Sequence, residues 1–311
     1  MSTDTERYVV RAATSGPVVT DVSPESAGWD FSGLRVVTLA PGASLTWHLE
    51  RDEAALIPLR GGAELLVDLP DGATRLTLTG RPDVFSGPTD FAYLPLGSTV
   101  TVTAPKGAAS GSRIALATAR ATRTLPLRVV AAQDVRVDLR GAGAASRQVN
   151  NYTLGTDVAI DHLLVCEVVT PGGNWSSYPP HKHDVHSGDE RVLEEIYYFE
   201  VADGPDGPGV GYHRTYGTPE RPIDVLAEVR TGDVALVPHG FHGPCTAPPG
   251  YDLYYLNVMA GPAPDGTWLS TDDPHLHWVR ATWEHQELDP RLPLATRPDN
   301  DGTPSKEKEQ P

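Results

Sequence analysis

Short apolar runs, separated by turn-forming residues, recur along the whole chain. Each run is about four to eight residues long and rich in β-branched or aromatic side chains, whereas helical periodicity sustained over three turns is hard to find. This pattern is typical of strands bounded by turns. Representative runs are LRVVTL (residues 34–39), AELLVDL (63–69), STVTVTA (98–104) and DVALVP (233–238).

The composition supports an all-β fold with two halves. The 311 residues include 30 glycines and 29 prolines, and many short strands at roughly regular spacing favour a sandwich or a barrel. A chain of this length can form two domains of ordinary size. The Gly/Ala-rich stretch 135–152 is the best candidate for a boundary, so we predict domains over 1–140 and 141–290, followed by a disordered tail over 291–311.

Net charge and cysteine usage limit the possible partners. The formal charge is -16 and no basic block occurs, which argues against a nucleic-acid or anionic-membrane partner. The two cysteines, Cys166 and Cys245, match no zinc-ribbon or redox spacing. The chain also lacks a signal-peptide pattern and an apolar segment of about 18 residues. We therefore expect a soluble cytoplasmic protein.

Six of the eleven histidines fall between His181 and His242, and two of them form the sequence HKH. Residues two apart in a strand project to the same face, so His181 and His183 can offer both imidazoles to one ion. The strand-like run LEEIYYFE (193–200) follows, with a choice between two glutamates. If Glu195 points inward, its companions are Leu193, Tyr197 and Phe199, which make a more coherent inner wall than the companions of Glu194.

A second histidine-containing segment, GDVALVPHGFHGP (232–244), combines a glycine turn, an apolar strand and a Pro/Gly corner that leads to His242. The order HxH, strand glutamate, PxG corner and histidine resembles the two cupin motifs. We predict a site of three imidazoles and one carboxylate, with positions left for water or substrate. His239 is an alternative to His242 as the third imidazole.

Other polar residues of this region are expected to lie outside the site. His186 falls in the loop DVHSGDE, where it is expected to be solvated. The neighbouring acids Asp184, Asp189 and Glu190 are expected to form a charged surface.

The first half repeats the cupin sequence pattern but lacks the predicted ligand residues. Residues 44–67 and 90–102 have strand patterns with a second PxG at Pro95–Gly97. Only His48 stands where an HxH pair would, and no histidine follows Gly97. We therefore predict a bicupin, two double-stranded β-helix (jelly-roll) barrels, with a structural N-terminal barrel and an active C-terminal barrel.

Longer segments resemble one particular family. The runs NWSSYPPHKHD (174–184), LEEIYYFE and GDVALVPHGFHGPCTAPPGYDLYYLNVMAGP (232–262) are similar to those of the 5-deoxy-glucuronate isomerase family of inositol catabolism, related to the uronate isomerase of pectin degradation. The resemblance covers roughly residues 7–288. It implies an aldose–ketose isomerase that converts 5-deoxy-D-glucuronate to 5-dehydro-2-deoxy-D-gluconate.

The resemblance also implies a set of residue roles. One divalent metal ion, zinc, with manganese or iron as alternatives, would be held by His181, His183, Glu195 and His242. A cation is expected to bind the substrate carboxylate. Arg214 is preferred over Lys182 for this role, because Lys182 lies between two inward histidines and should point outward. The general base is open among Glu195, Tyr197 and Tyr254.

Two other functions remain open from the sequence. Three histidines and one glutamate that hold iron or copper can also support dioxygenase chemistry. A non-catalytic sugar-acid-binding bicupin is the other alternative. By analogy with the fold we expect a homo-oligomer.

Overall fold

The computed structural model describes residues 3–107, 110–263 and 266–294. Strands dominate this part of the chain. Those of the first half are β1 (Val9–Val10), β2 (Val18–Val22), β3 (Ser32–Leu39), β4 (Ser44–His48), β5 (Asp52–Leu69), β6 (Gly72–Arg81), β7 (Phe91–Leu94), β8 (Thr99–Thr103), β9 (Ser112–Arg120) and β10 (Arg128–Val130).

The second half continues with shorter strands and little helix. The strands are β11 (Arg136–Arg140), β12 (Arg147–Asn151), β13 (Leu164–Thr170), β14 (Trp175–Ser176), β15 (His181–Lys182), β16 (Glu194–Val201), β17 (Gly211–Tyr216), β18 (Asp224–Val229), β19 (Val234–Val237), β20 (Cys245–Thr246), β21 (Leu253–Ala260) and β22 (Thr271–Asp272). The helices are α1 (Thr3–Tyr8), α2 (Pro24–Ala27) and α3 (Val279–Thr282), with short 3-10 turns at Ala132–Asp134, Gly143–Ala145 and Trp283–His285.

The first half forms a nine-stranded sheet. Its main path runs β10-β7-β5-β9-β3-β2, and β6 and β8 pair with β5 while β4 pairs with β8. The long strand β5 takes part in both layers because it pairs with β7 and β9 near its start and with β6 and β8 near its end. The enclosed interior is apolar and contains, among others, Trp47, Leu56, Leu65, Val100 and Ile114.

Two facing sheets form most of the second half, and β15 pairs with β22 in a separate two-stranded sheet. A seven-stranded sheet runs β1-β19-β16-β21-β13-β12-β11, and a four-stranded sheet runs β14-β20-β17-β18. Buried side chains from both sheets share one cluster, which includes Tyr197, Phe199 and Tyr255 from the first and Val225 and Cys245 from the second. The two sheets therefore pack face to face, and their common interior holds the candidate site.

The large sheets of the two halves pack against each other through their outer faces. Because successive side chains of a strand point to opposite faces, β16 sends Tyr197 into the interior of its own half and Tyr198 into the interface between halves. The nearly continuous apolar runs of β16 and β21 follow from this burial on both faces.

The N-terminal strand belongs to the sheet of the second half. Strand β1 pairs with β19, with Val9 opposite Ala235, so the first strand completes the sheet of the second half. The crossover between the two large sheets lies between β10 and β11, because β10 pairs with β7 and β11 with β12. Leu292 is buried, and residues 295–311 of the predicted tail lie outside the described residues. Within the described ranges, no helix has the length and apolar character needed to cross a membrane.

Candidate metal centre

Four buried side chains converge inside the second half: His181, His183, Glu195 and His242. One ligand atom from each lies within 4.8 Å of the others. The residues come from β15, the loop after it, β16 and the corner after β19. The four positions predicted from the sequence as ligands therefore meet at one point.

Backbone pairing brings the two histidine segments together. The amide of His181 donates to the carbonyl of His242 at 3.1 Å, and the amide of His242 donates back to His181 at 2.8 Å. The amide of Leu193 donates to the carbonyl of His183 at 3.0 Å. These bonds join the HxH segment to the corner on one side and to the start of β16 on the other.

The Pro/Gly corner is a tight turn that requires glycine. Gly240 has a φ of 90°, and a Cβ at this position would lie 2.7 Å from the carbonyl oxygen of Tyr216. Its amide donates to Asp184 Oδ2 at 3.0 Å, so the loop after β15 holds the corner in place. His242 follows two residues later and is directed inward.

Hydrogen bonds to backbone carbonyls orient two of the imidazoles. His183 Nδ1 lies 3.0 Å from the carbonyl oxygen of Leu193, and His242 Nδ1 lies 2.8 Å from that of Gly240. A ring nitrogen at such a distance is fixed as the protonated donor, which leaves Nε2 as the ligating atom. Both Nε2 atoms face Glu195 Oε2, at 2.9 Å from His183 and 2.8 Å from His242.

The charges of the cluster suit a cation. Burial acts to raise the pKa of Glu195, but the close approach of the His183 and His242 imidazoles outweighs it and holds that pKa well below its usual range. Burial, followed by the nearby His242, holds the pKa of His181 well below its usual value, so this imidazole is neutral. An anionic carboxylate and a neutral imidazole are the forms in which these groups bind metal.

One atom of the cluster lacks a hydrogen bond. His242 Nε2 is buried, and its close approach to Glu195 does not meet hydrogen-bond geometry with any described residue. A buried nitrogen lone pair that faces a carboxylate oxygen is costly unless a cation lies between them. Three imidazoles and one carboxylate therefore fit a divalent ion in both chemistry and position.

The two adjacent glutamates face opposite sides of the strand and make different contacts. Glu195 faces the cluster, and its Oε1 accepts a hydrogen bond from Asn257 at 2.6 Å. Glu194 faces the other half of the molecule and accepts hydrogen bonds from the backbone amides of Asp30, Phe31 and Ser32 at 2.7 to 2.9 Å. The position of Glu195 thus agrees with the inward direction predicted from strand alternation.

These positions lead to opposite expectations for the two glutamates. Glu195→Gln should lower metal affinity by at least about tenfold, because it removes the charge of a ligand. Glu194→Gln should leave the metal bound but lower the free energy of unfolding by about 2 kcal/mol, because it weakens charge-assisted hydrogen bonds between the halves. Metal analysis and denaturant unfolding of both variants test this pair. Metal loss only in Glu194→Gln would contradict it.

The remaining predicted catalytic residues divide between two faces. Tyr197 lines the cavity beside the cluster, with its ring centroid 6.2 Å from that of His242. Tyr254 lies on the opposite face of β21, where its hydroxyl donates to Glu167 at 2.9 Å in the interface between halves. The structure therefore brings Tyr197, and not Tyr254, to the site.

The two predicted substrate cations lie away from the cluster. Arg214 follows the inward His213 on β17, so its side chain points outward and donates to Asp224 at 2.5 Å. Lys182 points outward, as expected, and donates to Asp184 and Glu190 at 2.9 Å. Contrary to the prediction, Arg214 therefore does not line the pocket, because strand alternation directs its side chain outward.

The bystander residues largely agree with expectation, with one correction. His186 is exposed, and His239 lies outside the cluster near Arg221. Glu190 was expected on a charged surface, but it is buried and accepts the backbone amides of Asp184 and Val185. It thus organises the loop that supports Gly240.

Sequence reasoning missed several residues of the cavity beside the cluster. Its lining includes three arginines and two further polar side chains, namely Arg140, Arg147, Arg280, Asn257 and Trp268. The indole nitrogen of Trp268 is buried without a hydrogen-bond partner among the described residues. No local motif marks these positions, because segments that are far apart in the sequence bring them together.

Comparisons with known proteins agree with this geometry. The model of the KduI/IolB family matches residues 8–279. The chain belongs to this family. A relative in Geobacillus kaustophilus named 5-deoxy-glucuronate isomerase is 42% identical over 266 residues, which is 84% of this chain and 90% of that protein. A relative of the same name in Bacillus subtilis strain 168 is 35% identical, over 84% of this chain and 92% of its own.

Solved structures of KduI/IolB relatives and of more distant proteins share the fold. An IolB-like protein from Salmonella typhimurium has a TM-score of 0.78 at 33% identity, covering 88% of this chain and 98% of that one. Oxalate decarboxylase from Lactobacillus farciminis has a TM-score of 0.58 at 11% identity, covering 85% and 88%. The predicted family, the all-β bicupin fold and the assignment as an isomerase are thereby confirmed.

Proposed function

We propose that this isomerase converts 5-deoxy-D-glucuronate to 5-dehydro-2-deoxy-D-gluconate in myo-inositol catabolism. The observation that carries the proposal is the buried cluster of three histidines and one glutamate, in a chain whose relatives are named 5-deoxy-glucuronate isomerase. The reaction moves one hydrogen from C2 to C1 and one proton from the C2 hydroxyl to the C1 oxygen. It needs no external oxidant or reductant.

The proposed metal site consists of His181, His183, Glu195 and His242, with zinc as the ion. A bound divalent ion supplies Lewis-acid stabilisation of negative charge on the carbonyl and hydroxyl oxygens of the substrate. Asn257 positions Glu195 through its 2.6 Å hydrogen bond. With Oε2 turned toward the imidazoles and Oε1 held by Asn257, Glu195 is suited to act as a ligand.

Tyr197 is the proposed hydrogen-bond donor to the substrate oxygens. Burial, followed by the charge of Glu195, raises the pKa of its phenol well above the usual value. The phenol therefore keeps its proton at neutral pH. A protonated hydroxyl beside the cavity can donate a hydrogen bond to an oxygen on which negative charge develops.

The proposal can be tested with purified protein. We expect the metal-loaded enzyme to convert 5-deoxy-D-glucuronate to the ketose, followed by NMR, and we expect chelation to abolish conversion and added zinc to restore it. An oxygen electrode run in parallel tests the dioxygenase alternative. Oxygen uptake without interconversion of the sugar acids would show that the isomerase reaction is misassigned. Binding of the sugar acid without any turnover would favour the non-catalytic alternative.

A further inference from the structure

Trp268 forms part of the wall of the candidate active site. Its side chain lines the same cavity as His181, Glu195 and Tyr197. The indole ring meets the imidazole of His181 nearly at right angles, with 5.8 Å between the ring centroids. Trp268 therefore lies directly beside a proposed metal ligand.

The indole N–H of Trp268 is a buried donor without an acceptor. Its Nε1 has no hydrogen-bond partner among the residues that the structure describes. An indole nitrogen can only donate, and a buried indole usually finds a hydrogen-bond partner. Because an unsatisfied buried donor is destabilising, a donor of this kind in a cavity wall indicates an acceptor that a ligand brings.

Backbone hydrogen bonds hold the segment that carries Trp268. The carbonyl of Leu269 accepts a hydrogen bond from the amide of Arg191 at 3.1 Å. From Thr271 the segment continues as β22, which pairs with β15 and so lies next to His181. The pairing that places His181 therefore also places the indole.

Neighbouring oxygen acceptors of the cavity wall are already engaged. Glu195 faces two imidazoles through Oε2, and its Oε1 accepts a hydrogen bond from Asn257 at 2.6 Å. The hydroxyl of Ser177 is hydrogen-bonded to that of Tyr255 at 2.9 Å. These contacts leave the acceptor for Trp268 to be supplied by a molecule bound in the cavity.

Trp47 provides a contrast within the same molecule. Its indole nitrogen is also buried without a partner among the described residues, but its ring lies in the apolar interior of the first half. An unsatisfied N–H alone therefore does not indicate a ligand. Trp268 differs because its ring lines a cavity and lies beside His181.

From these contacts we propose that the indole N–H of Trp268 donates a hydrogen bond to the substrate oxygen on the His181 side of the metal centre. The inference rests on the proposed function for the identity of the substrate, an α-hydroxyaldehyde whose oxygens gain negative charge during isomerisation. Tyr197 lies beside His242 instead, so the two donors approach the centre from different ligands. Donors that are already in place stabilise such charge without a rearrangement of the site.

Binding of glycolohydroxamate tests this contact without turnover, because the compound mimics an enediolate and chelates divalent ions. In NMR spectra of isotope-labelled protein, the six tryptophans give six indole N–H resonances, and Trp268→Phe identifies the resonance of Trp268. In the zinc-loaded protein we expect this resonance, and not that of Trp47, to move downfield when the hydroxamate binds. Trp268→Phe should keep the metal and weaken hydroxamate binding by about 10- to 100-fold, because it removes the N–H and keeps an aromatic ring.

Kinetics provides the second measurement. For 5-deoxy-D-glucuronate, Trp268→Phe should lower kcat by about 10- to 100-fold with a smaller change in KM, because the hydrogen bond strengthens as charge develops on the oxygen. The matched variant Trp47→Phe removes the other buried indole N–H. It should leave kcat, hydroxamate affinity and metal content unchanged.

Three results would overturn the inference. The first is a Trp268 resonance that does not move when the hydroxamate binds, and the second is an unchanged hydroxamate affinity in Trp268→Phe. The third is loss of the metal from Trp268→Phe, since the residue would then act through its packing against His181.

The same measurements separate this inference from the proposed reaction. Hydroxamate binding that depends on Trp268, in a protein that does not convert 5-deoxy-D-glucuronate, would overturn the reaction and keep the contact. Conversion at full rate by Trp268→Phe would do the reverse.

Discussion

Replacing His181 or His242 by alanine is expected to remove the metal and the isomerase activity together. Each imidazole is buried in the four-residue cluster, and the two residues are paired through their backbones. Loss of a ligand removes stabilisation worth several kcal/mol in the transition state, which corresponds to a fall in kcat of about a thousandfold or more. Metal content by elemental analysis and kcat for 5-deoxy-D-glucuronate are the measurements.

Two neighbouring histidines serve as matched controls for this prediction. His186 is exposed, and His239 lies on the corner outside the cluster. His186→Ala and His239→Ala should therefore keep the metal. A metal-free His239→Ala protein alongside a metal-loaded His242→Ala protein would show that the third imidazole is the other one.

The sequence predicted the all-β fold and the convergence of His181, His183, Glu195 and His242 because both depend on local patterns. Alternation along β16 is enough to separate Glu195 from Glu194, since inner and outer faces differ in every second residue. The PxG corner is likewise a local feature, because Gly240 needs a left-handed φ and close contact with Tyr216. Such features depend on short stretches of backbone.

The rest of the cavity depends on pairings between distant segments. Arg140 and Arg147 lie in a Gly/Ala-rich stretch that resembles a boundary, and only the pairing of β12 with β13 places them in the wall of the site. The preference for Arg214 rests only on the outward direction expected for Lys182 between two inward histidines. Alternation on β17 sends Arg214 outward, and its partner Asp224 lies on the next strand.

A buried ion pair connects the two halves of the molecule. Arg81, at the end of β6, donates to both carboxylate oxygens of Glu167 on β13, at 2.7 and 2.8 Å. Glu167 also accepts from Asn150 and from Tyr254, which completes its hydrogen bonding. The side chains of Arg81 and Glu167 are 3% and 0% exposed, so neither charge is stabilised by water.

Glu167→Leu is therefore expected to destabilise the protein by about 3–5 kcal/mol, because it leaves the Arg81 charge buried without its carboxylate. The double variant Arg81→Met with Glu167→Leu removes both charges and should recover much of that loss, since the cost comes from an unpaired charge and not from the missing attraction. Denaturant unfolding of the two single variants and the double variant measures the coupling. Additive losses in the free energy of unfolding would contradict this account of the interface. A strongly coupled cycle, with metal still bound in the folded double variant, would place the effect in the contact between the halves.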